Sequence, residues 1–315
     1  MRHTKKNVPH TQTGFTLIEL MIALVLGLLI SAAVMQVYLI STRTVTVQQS
    51  ASEVQDSTIF AMQALEESIR LANLGNEITS ITSLTPHGGV VLTGNNIKNV
   101  GYTNTGDFTV SAGQTVTKGA NSWSGISNTN IASDQLTIQY KNVTGRDMYD
   151  CEGETIASGS SDWVIERYFV RETTANQTST VKALGLACDA GRVTDAGVVS
   201  NFGNAGEIII PAIDQFKVLL GTATDLNSLT YLPANIYSTL TDKPAITTIK
   251  LGVIIRSNTP LLENTDSDSF ILLDTTNTLK TDTARQKYYR RAYETTILLR
   301  NARVMSIVQN AINGS

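Results

Sequence analysis

The chain has 315 residues, 42% hydrophobic, 16% charged and 6% aromatic, with a formal charge of −3 and two cysteines. That apolar content supports a packed core and argues against a wholly disordered chain, while the charged fraction falls below the roughly 25% of ordinary soluble proteins. Its histidines are His3, His10 and His87, the first two before the first apolar run; if that leader is removed a single imidazole remains, which argues against a zinc site built on several imidazoles and leaves His87 alone for activating a nucleophile, so neither a cofactor nor an enzymatic activity is expected.

Between positions 15 and 40 the sequence reads FTLIELMIALVLGLLISAAVMQVYLI, an apolar run whose only charged side chain is Glu19. About 20 apolar residues cross a bilayer as a helix, so this run is long enough to span. The residues before it carry Arg2, Lys5 and Lys6 and no acid, which predicts a cytoplasmic N-terminus and an outer location for everything after about Ser41. A cleaved secretory signal shares this plan, but its apolar region is shorter, roughly 7–15 residues, and is followed by an A-x-A-like site that does not occur here. A carboxylate in a spanning helix costs on the order of 2.5–3.5 kcal/mol at the bilayer centre and less near the interface. Position alone leaves Glu19 either functional or merely hydrated at the cytoplasmic boundary.

The residues around it are more specific. Gly14-Phe15-Thr16-Leu17-Ile18-Glu19-Leu20 closely resembles the cleavage and methylation signature of type IV prepilins and of type II secretion pseudopilins. The resemblance implies that a prepilin peptidase cuts between Gly14 and Phe15, that Phe15 becomes N-methylated, and that Glu19 becomes the fifth residue of a 301-residue mature chain. The new α-amino group is largely cationic near neutral pH. A carboxylate four residues along a helix can pair with that amine in its own chain or in a neighbouring subunit. The second arrangement, which the resemblance favours, neutralises two charges inside an apolar bundle and makes assembly depend on prior cleavage.

After the span no proline occurs before Pro86, and no glycine lies between Gly27 and Gly75. Val47, Ala51, Val54, Thr58, Ala61, Leu65, Ile69 and Ala72 recur in steps of three or four and trace one helical face. This predicts a single helix from residue 15 to about residue 74, stopped near Asn73 and Gly75, roughly 90 Å long at 1.5 Å per residue. Its outer half is expected to pack on its own domain rather than form a free coiled-coil dimer, because the stripe is short and made mostly of small residues. The expected organisation is a cleaved cytoplasmic leader (1–14), a transmembrane helix (15–40), its amphipathic continuation (41–75) and an extracytoplasmic β-rich domain (76–315).

Alternation then replaces helical periodicity. Leu136, Ile138 and Tyr140 alternate with Thr137, Gln139 and Lys141, and Ile249, Leu251, Val253 and Ile255 alternate with Lys250, Gly252 and Ile254, as in half-buried strands. Further strands are predicted around 163–170, 207–210, 216–220 and 292–300. The fold class is therefore α+β, an antiparallel sheet laid against the outer half of a long N-terminal helix. Stretches rich in Gly, Asn, Ser and Thr at 94–133, 173–180 and 226–242 read as long polar loops.

Cys151 and Cys188 both fall on the expected outer side, where an even cysteine count favours a disulfide; two free thiols too far apart to meet are the alternative. Closing their 37-residue separation would contribute about 3.5–4 kcal/mol in the chain-entropy account. Tyr288, Tyr289, Arg290 and Arg291 could stack bases and neutralise phosphates, yet they directly precede a predicted strand. Loss of Arg2, Lys5 and Lys6 leaves 21 basic against 27 acidic residues, net −6, so a strand-edge role is expected rather than direct nucleic-acid binding. Asp266-Ser267-Asp268-Ser269 lacks calcium-loop spacing and reads as a solvated turn. In the tail after 302, Val304, Ile307, Val308 and Ala311 share one helical face compatible with a short docking helix.

Several segments in order, SDQLTIQY, then Asp150-Cys151-Glu152-Gly153, ERYFVRE, LGLACD around Cys188, IDQFKVLLG, IKLGVIIRS and YYRRAYETTILLRN, resemble PilW-type minor pilins across 134–301. With the signature in front, this implies a minor pilin that helps initiate assembly of a type IV pilus and lies near its tip, supporting twitching motility, adhesion or DNA uptake. The implied partners are other minor and major pilins, the prepilin peptidase, the inner-membrane assembly platform and a large tip adhesin. The implied location is the inner membrane with a periplasmic domain, then the cell-surface pilus. The alternative is a minor pseudopilin, J-type, of a type II secretion system.

Overall fold

The computed structural model describes residues 14–98, 108–111, 125–174, 177–223, 228–261, 267–281 and 287–302. Helix α1 runs Leu17–Arg70 as one 54-residue element. The chain divides into two units, Met1–Gln49 and Ser50–Ser315.

In the first unit, every large apolar side chain of α1 up to Ile40 is exposed. The helix is long and apolar enough to cross a membrane, and an exposed apolar surface of this extent marks contact with lipid or other protein. At the outer end of the run the threonines hide their hydroxyls on the helix itself. Thr42 Oγ1 donates to Leu39 O (2.9 Å), Thr44 Oγ1 to Ile40 O (3.0 Å) and Thr46 Oγ1 to Thr42 O (2.9 Å), which suits them to the edge of an apolar environment.

In the second unit α1 buries Val54, Thr58, Met62, Leu65 and Ile69, followed by Ala72. The steps of three and four are those expected, although Met62 takes the fully buried place and Ala61 is half-buried beside it. α1 ends at Arg70, a little short of the expected residue 74, and the turn that follows holds Asn73 in the left-handed region (φ 67°), a conformation asparagine tolerates better than most residues. Its N–H donates to Gln139 O (2.9 Å), its Oδ1 accepts from Gly89 N–H (2.9 Å), and its Nδ2 donates to Ile78 O (2.9 Å) and Asn301 O (3.0 Å). The helix stop thus joins three distant parts of the chain. A Cβ on Gly89 would lie 2.2 Å from Asn73 N, so this approach requires glycine.

The strands are β1 (Leu136–Lys141), β2 (Met148–Tyr149), β3 (Thr155–Ile156), β4 (Trp163–Glu172), β5 (Leu184–Val193), β6 (Val199–Ser200), β7 (Glu207–Ile210), β8 (Ile213–Ala223) and β9 (Leu229–Leu232). After the short helix α2 (Ala234–Thr239) come β10 (Ile246–Leu261), β11 (Ser269–Leu272), β12 (Thr275–Thr278) and β13 (Lys287–Leu298). Instead of the single sheet expected, the described residues form two, ordered β1-β4-β5-β6 with β7 also on β5, and β13-β10-β8-β9, plus the hairpins β2–β3 and β11–β12. Every pairing between these strands is antiparallel. One core joins the α1 stripe to the inner faces of both sheets, through Ile138 and Tyr140, Val164 and Tyr168, Leu186 and Cys188, Phe216 and Val218, and Leu251 and Val253.

Several expectations need correction. β1 is buried on both faces: segment 89–91 pairs with its edge, Val91 N–H donating to Thr137 O and Gln139 N–H to Gly89 O, each at 2.9 Å, and its outward side chains meet Phe108 and His87, Thr137 Oγ1 donating to Phe108 O (2.8 Å) and Gln139 Nε2 facing His87 Nδ1 (3.1 Å). On β10 the outward residues Gly252 and Ile254 are likewise buried, under Leu272 and Leu273 at the tip of the β11–β12 hairpin. β5 and that hairpin were not foreseen, and the expected loop at 226–242 contains β9 and α2. β13 starts at Lys287, so the Tyr288–Arg291 cluster lies within the strand rather than before it. The tail from 303 onward and Asp266 lie outside the described residues; Ser267 forms a local turn, donating through Oγ to Ser269 O (2.8 Å).

Candidate functional site

Thr16 stands immediately before α1, and its Oγ1 accepts from Glu19 N–H at 3.3 Å while its carbonyl accepts from Leu20 N–H at 3.2 Å. Thr16-Leu17-Ile18-Glu19 therefore has the spacing of a capping box, a signal in the sequence that identifies the helix start. Glu19 lies in the first turn, where the N–H ends of the helix favour a negative charge. Gly14 and Phe15 precede the helix and are exposed, Phe15 at 85%. The peptide bond between them is thus outside the hydrogen-bonded helix, the condition a peptidase needs, and Glu19 is held one turn from the amine that cleavage would create.

The second predicted pair is joined: Cys151 and Cys188 form a disulfide with Cα atoms 6.1 Å apart. Cys188 is fully buried on β5, and Cys151 is half-buried in the turn between β2 and β3. Beside them sits Glu166 of β4, fully buried, which sequence reasoning passed over inside ERYFVRE. Its carboxylate accepts from Tyr140 Oη (2.9 Å), Tyr168 Oη (2.6 Å) and Cys151 N–H (3.0 Å). Burial pushes the Glu166 carboxyl above the usual range against these three hydrogen bonds, and burial followed by the Glu166 charge raises both phenols. Two sulfurs and a carboxylate at this spacing could hold a metal only after reduction, since the joined sulfurs offer no thiolate.

His87, on which any nucleophile chemistry would have depended, is instead packed flat on Trp163, with ring centroids 4.6 Å apart and planes within 4°. Its Nδ1 faces Gln139 Nε2 at 3.1 Å, and burial holds its pKa below the ordinary histidine value. On β13, Arg290 is buried and its Nε donates to Asp214 Oδ2 at 2.7 Å. Arg256 and Arg290 flank the Tyr288 ring at 4.6 and 5.6 Å. The aromatic-basic cluster is thereby built into the second sheet. Arg167 of β4 is fully buried between Phe108 and Phe202, 5.5 and 4.6 Å from their centroids.

Comparison with known families gives two matches. The family described as PilW, type IV pilus-assembly protein W, matches residues 167–301, from Arg167 through β13, and the prokaryotic N-terminal methylation motif matches residues 9–35. No curated protein matches the chain. Among solved structures, a type IV-like pilin from Thermus thermophilus aligns over 79% of this chain and 98% of its own, at 11% identity and a TM-score of 0.39. The methylation-motif match at the head of α1 and the PilW match over residues 167–301 of the β-rich unit support a type IV prepilin-like, PilW-like protein.

Proposed function

We propose that the chain is a minor pilin of a type IV pilus, a structural subunit that helps initiate the fibre and lies near its tip. The observation that carries this reading is the presence, in one chain, of a methylation motif at 9–35 and a pilus-assembly match at 167–301. The leader 1–14 is removed between Gly14 and Phe15, Phe15 is methylated, and the apolar part of α1 holds the subunit in the inner membrane with its β-rich unit in the periplasm. On entering the fibre, Glu19 pairs with the α-amine of a neighbouring pilin. The pair replaces two separate charges in an apolar bundle, each costly alone. Other minor and major pilins, the assembly platform and a tip adhesin are the partners of this role.

Neither the fold nor the family matches favour the secretion pseudopilin alternative. Deletion of the gene, scored for twitching and for protein secretion, tests the choice. Loss of surface pili and twitching with intact secretion is expected; a defect confined to secretion would overturn the proposal.

A further inference from the structure

Pilus assembly makes no use of Glu166, yet this buried acid adjoins the disulfide. One of its carboxylate oxygens and the sulfurs of Cys151 and Cys188 all lie within 4.8 Å of one another. Its three donors are neutral: Tyr140 of β1, Tyr168 of β4 and the Cys151 N–H. The charged groups facing it are Asp150, paired with Arg192 of β5 at 2.7 Å, and on the α1 side the Ser68 hydroxyl reaches Tyr168. The two sulfurs differ in access. Cys151 is half-exposed and can meet an outside reagent, whereas Cys188 is fully buried and must lose its proton where water does not reach.

We propose that Glu166 is the general base that closes the Cys151–Cys188 disulfide during folding outside the cytoplasm. The Cys151 thiolate first attacks a disulfide-bearing oxidant of that compartment, one thiolate of the oxidant leaves, and Cys151 carries a mixed disulfide. The Cys188 thiol then passes its proton to the Glu166 carboxylate as its sulfur attacks Cys151 Sγ. The bond to the oxidant breaks, and its second thiolate departs with the electron pair. Two protein thiols are oxidised, one oxidant disulfide becomes two thiols, and Glu166 passes its proton to the departing thiolate. Burial holds the carboxyl above the ordinary carboxylate range, which makes the transfer less uphill than to an ordinary carboxylate.

The test uses the full chain, reduced in detergent, with glutathione disulfide as the oxidant. Acid-quenched mass spectrometry follows the first-order collapse of the Cys151 mixed disulfide between pH 5.5 and 8. With Glu166 as base, the collapse rate of the natural protein follows the ionised fraction of its carboxyl and becomes shallow above that group's titration, whereas unassisted thiol ionisation keeps changing it about tenfold per pH unit up to about pH 8. Glu166→Gln should restore the tenfold slope and slow collapse at least about tenfold at pH 6. Tyr140→Phe, which disturbs the same cluster but keeps the carboxylate, should retain the shallow profile. A tenfold slope that persists up to about pH 8 in the natural protein overturns the proposal even if the Gln variant does not fold, and so does an unchanged profile in a folded Gln variant.

Discussion

Glu19 and Thr16 divide the work at the head of α1. Thr16 caps the helix through the Glu19 backbone N–H, a bond that Glu19→Ala leaves in place, so that substitution removes the charge and little else. Cleavage after Gly14 should stay largely intact while incorporation into fibres falls several-fold, read by immunoblot of sheared pili against whole cells. Normal pilus numbers in the variant would remove the assembly role of Glu19. His87 supports a prediction of a different kind. Burial holds its pKa below the ordinary value of 6.5, and protonation would turn Nδ1 into a donor facing another donor, the Gln139 amide. The unfolded chain therefore binds more protons between the two pKa values, and stability rises with pH across that window. His87 contributes fully above about pH 6.5, and the contribution is lost as pH falls toward the folded value. His87→Asn, compatible with the left-handed backbone there (φ 50°), should be less stable than the natural protein at pH 7. It should also lose less Tm between pH 7 and pH 5; equal losses would show that His87 does not titrate with folding.

At the scale of elements, the outer half of α1 is held by a narrow stripe on two sheets. Leu65 is 2% exposed in that core, and Leu65→Ala should destabilise by about 2–5 kcal/mol in urea unfolding, against less than about 0.5 kcal/mol for a surface change such as Gln55→Ala. This stripe was legible in the sequence because α1 is covered on one side only, so its 3.6-residue period survives; its stop near Asn73 was legible because asparagine and glycine both accept left-handed backbone. The strands were harder. Thr137 and Gln139 of β1 look like solvent positions, but both are fully buried, because Phe108 and His87 arrive from elsewhere in the chain and meet their side chains. No local period records such a partner. β5 was missed for a related reason: LGLACDAGRV is buried almost throughout, so it shows no alternation. No local pattern marks Arg167 or Arg290 for burial: Phe108 and Phe202, which lie between strands, flank Arg167, and Asp214 of β8 pairs with Arg290.

At the scale of the molecule, the apolar run and the polar loops of the β-rich unit explain the low charge density noted at the outset, and the disulfide ties the β2–β3 hairpin to β5 across a 37-residue separation. Cys151→Ser should lower stability by about 3.5–4 kcal/mol, visible as an earlier urea midpoint; an unchanged midpoint would mean that the bridge does not constrain the unfolded chain. The candidate site at the N-terminus is proposed from the sequence, since seven consecutive residues carry its signature. Glu166 was not legible there, because the sulfurs and phenols around it come from β1, β4, β5 and a turn. The account turns on whether the leader is cut after Gly14 and the remaining chain enters the fibre. Mass spectrometry of the chain recovered from sheared, purified pili tests this directly. A 301-residue form whose first peptide begins with N-methylated Phe15 is the predicted result. Recovery only from membranes, with residues 1–14 still attached, would contradict it.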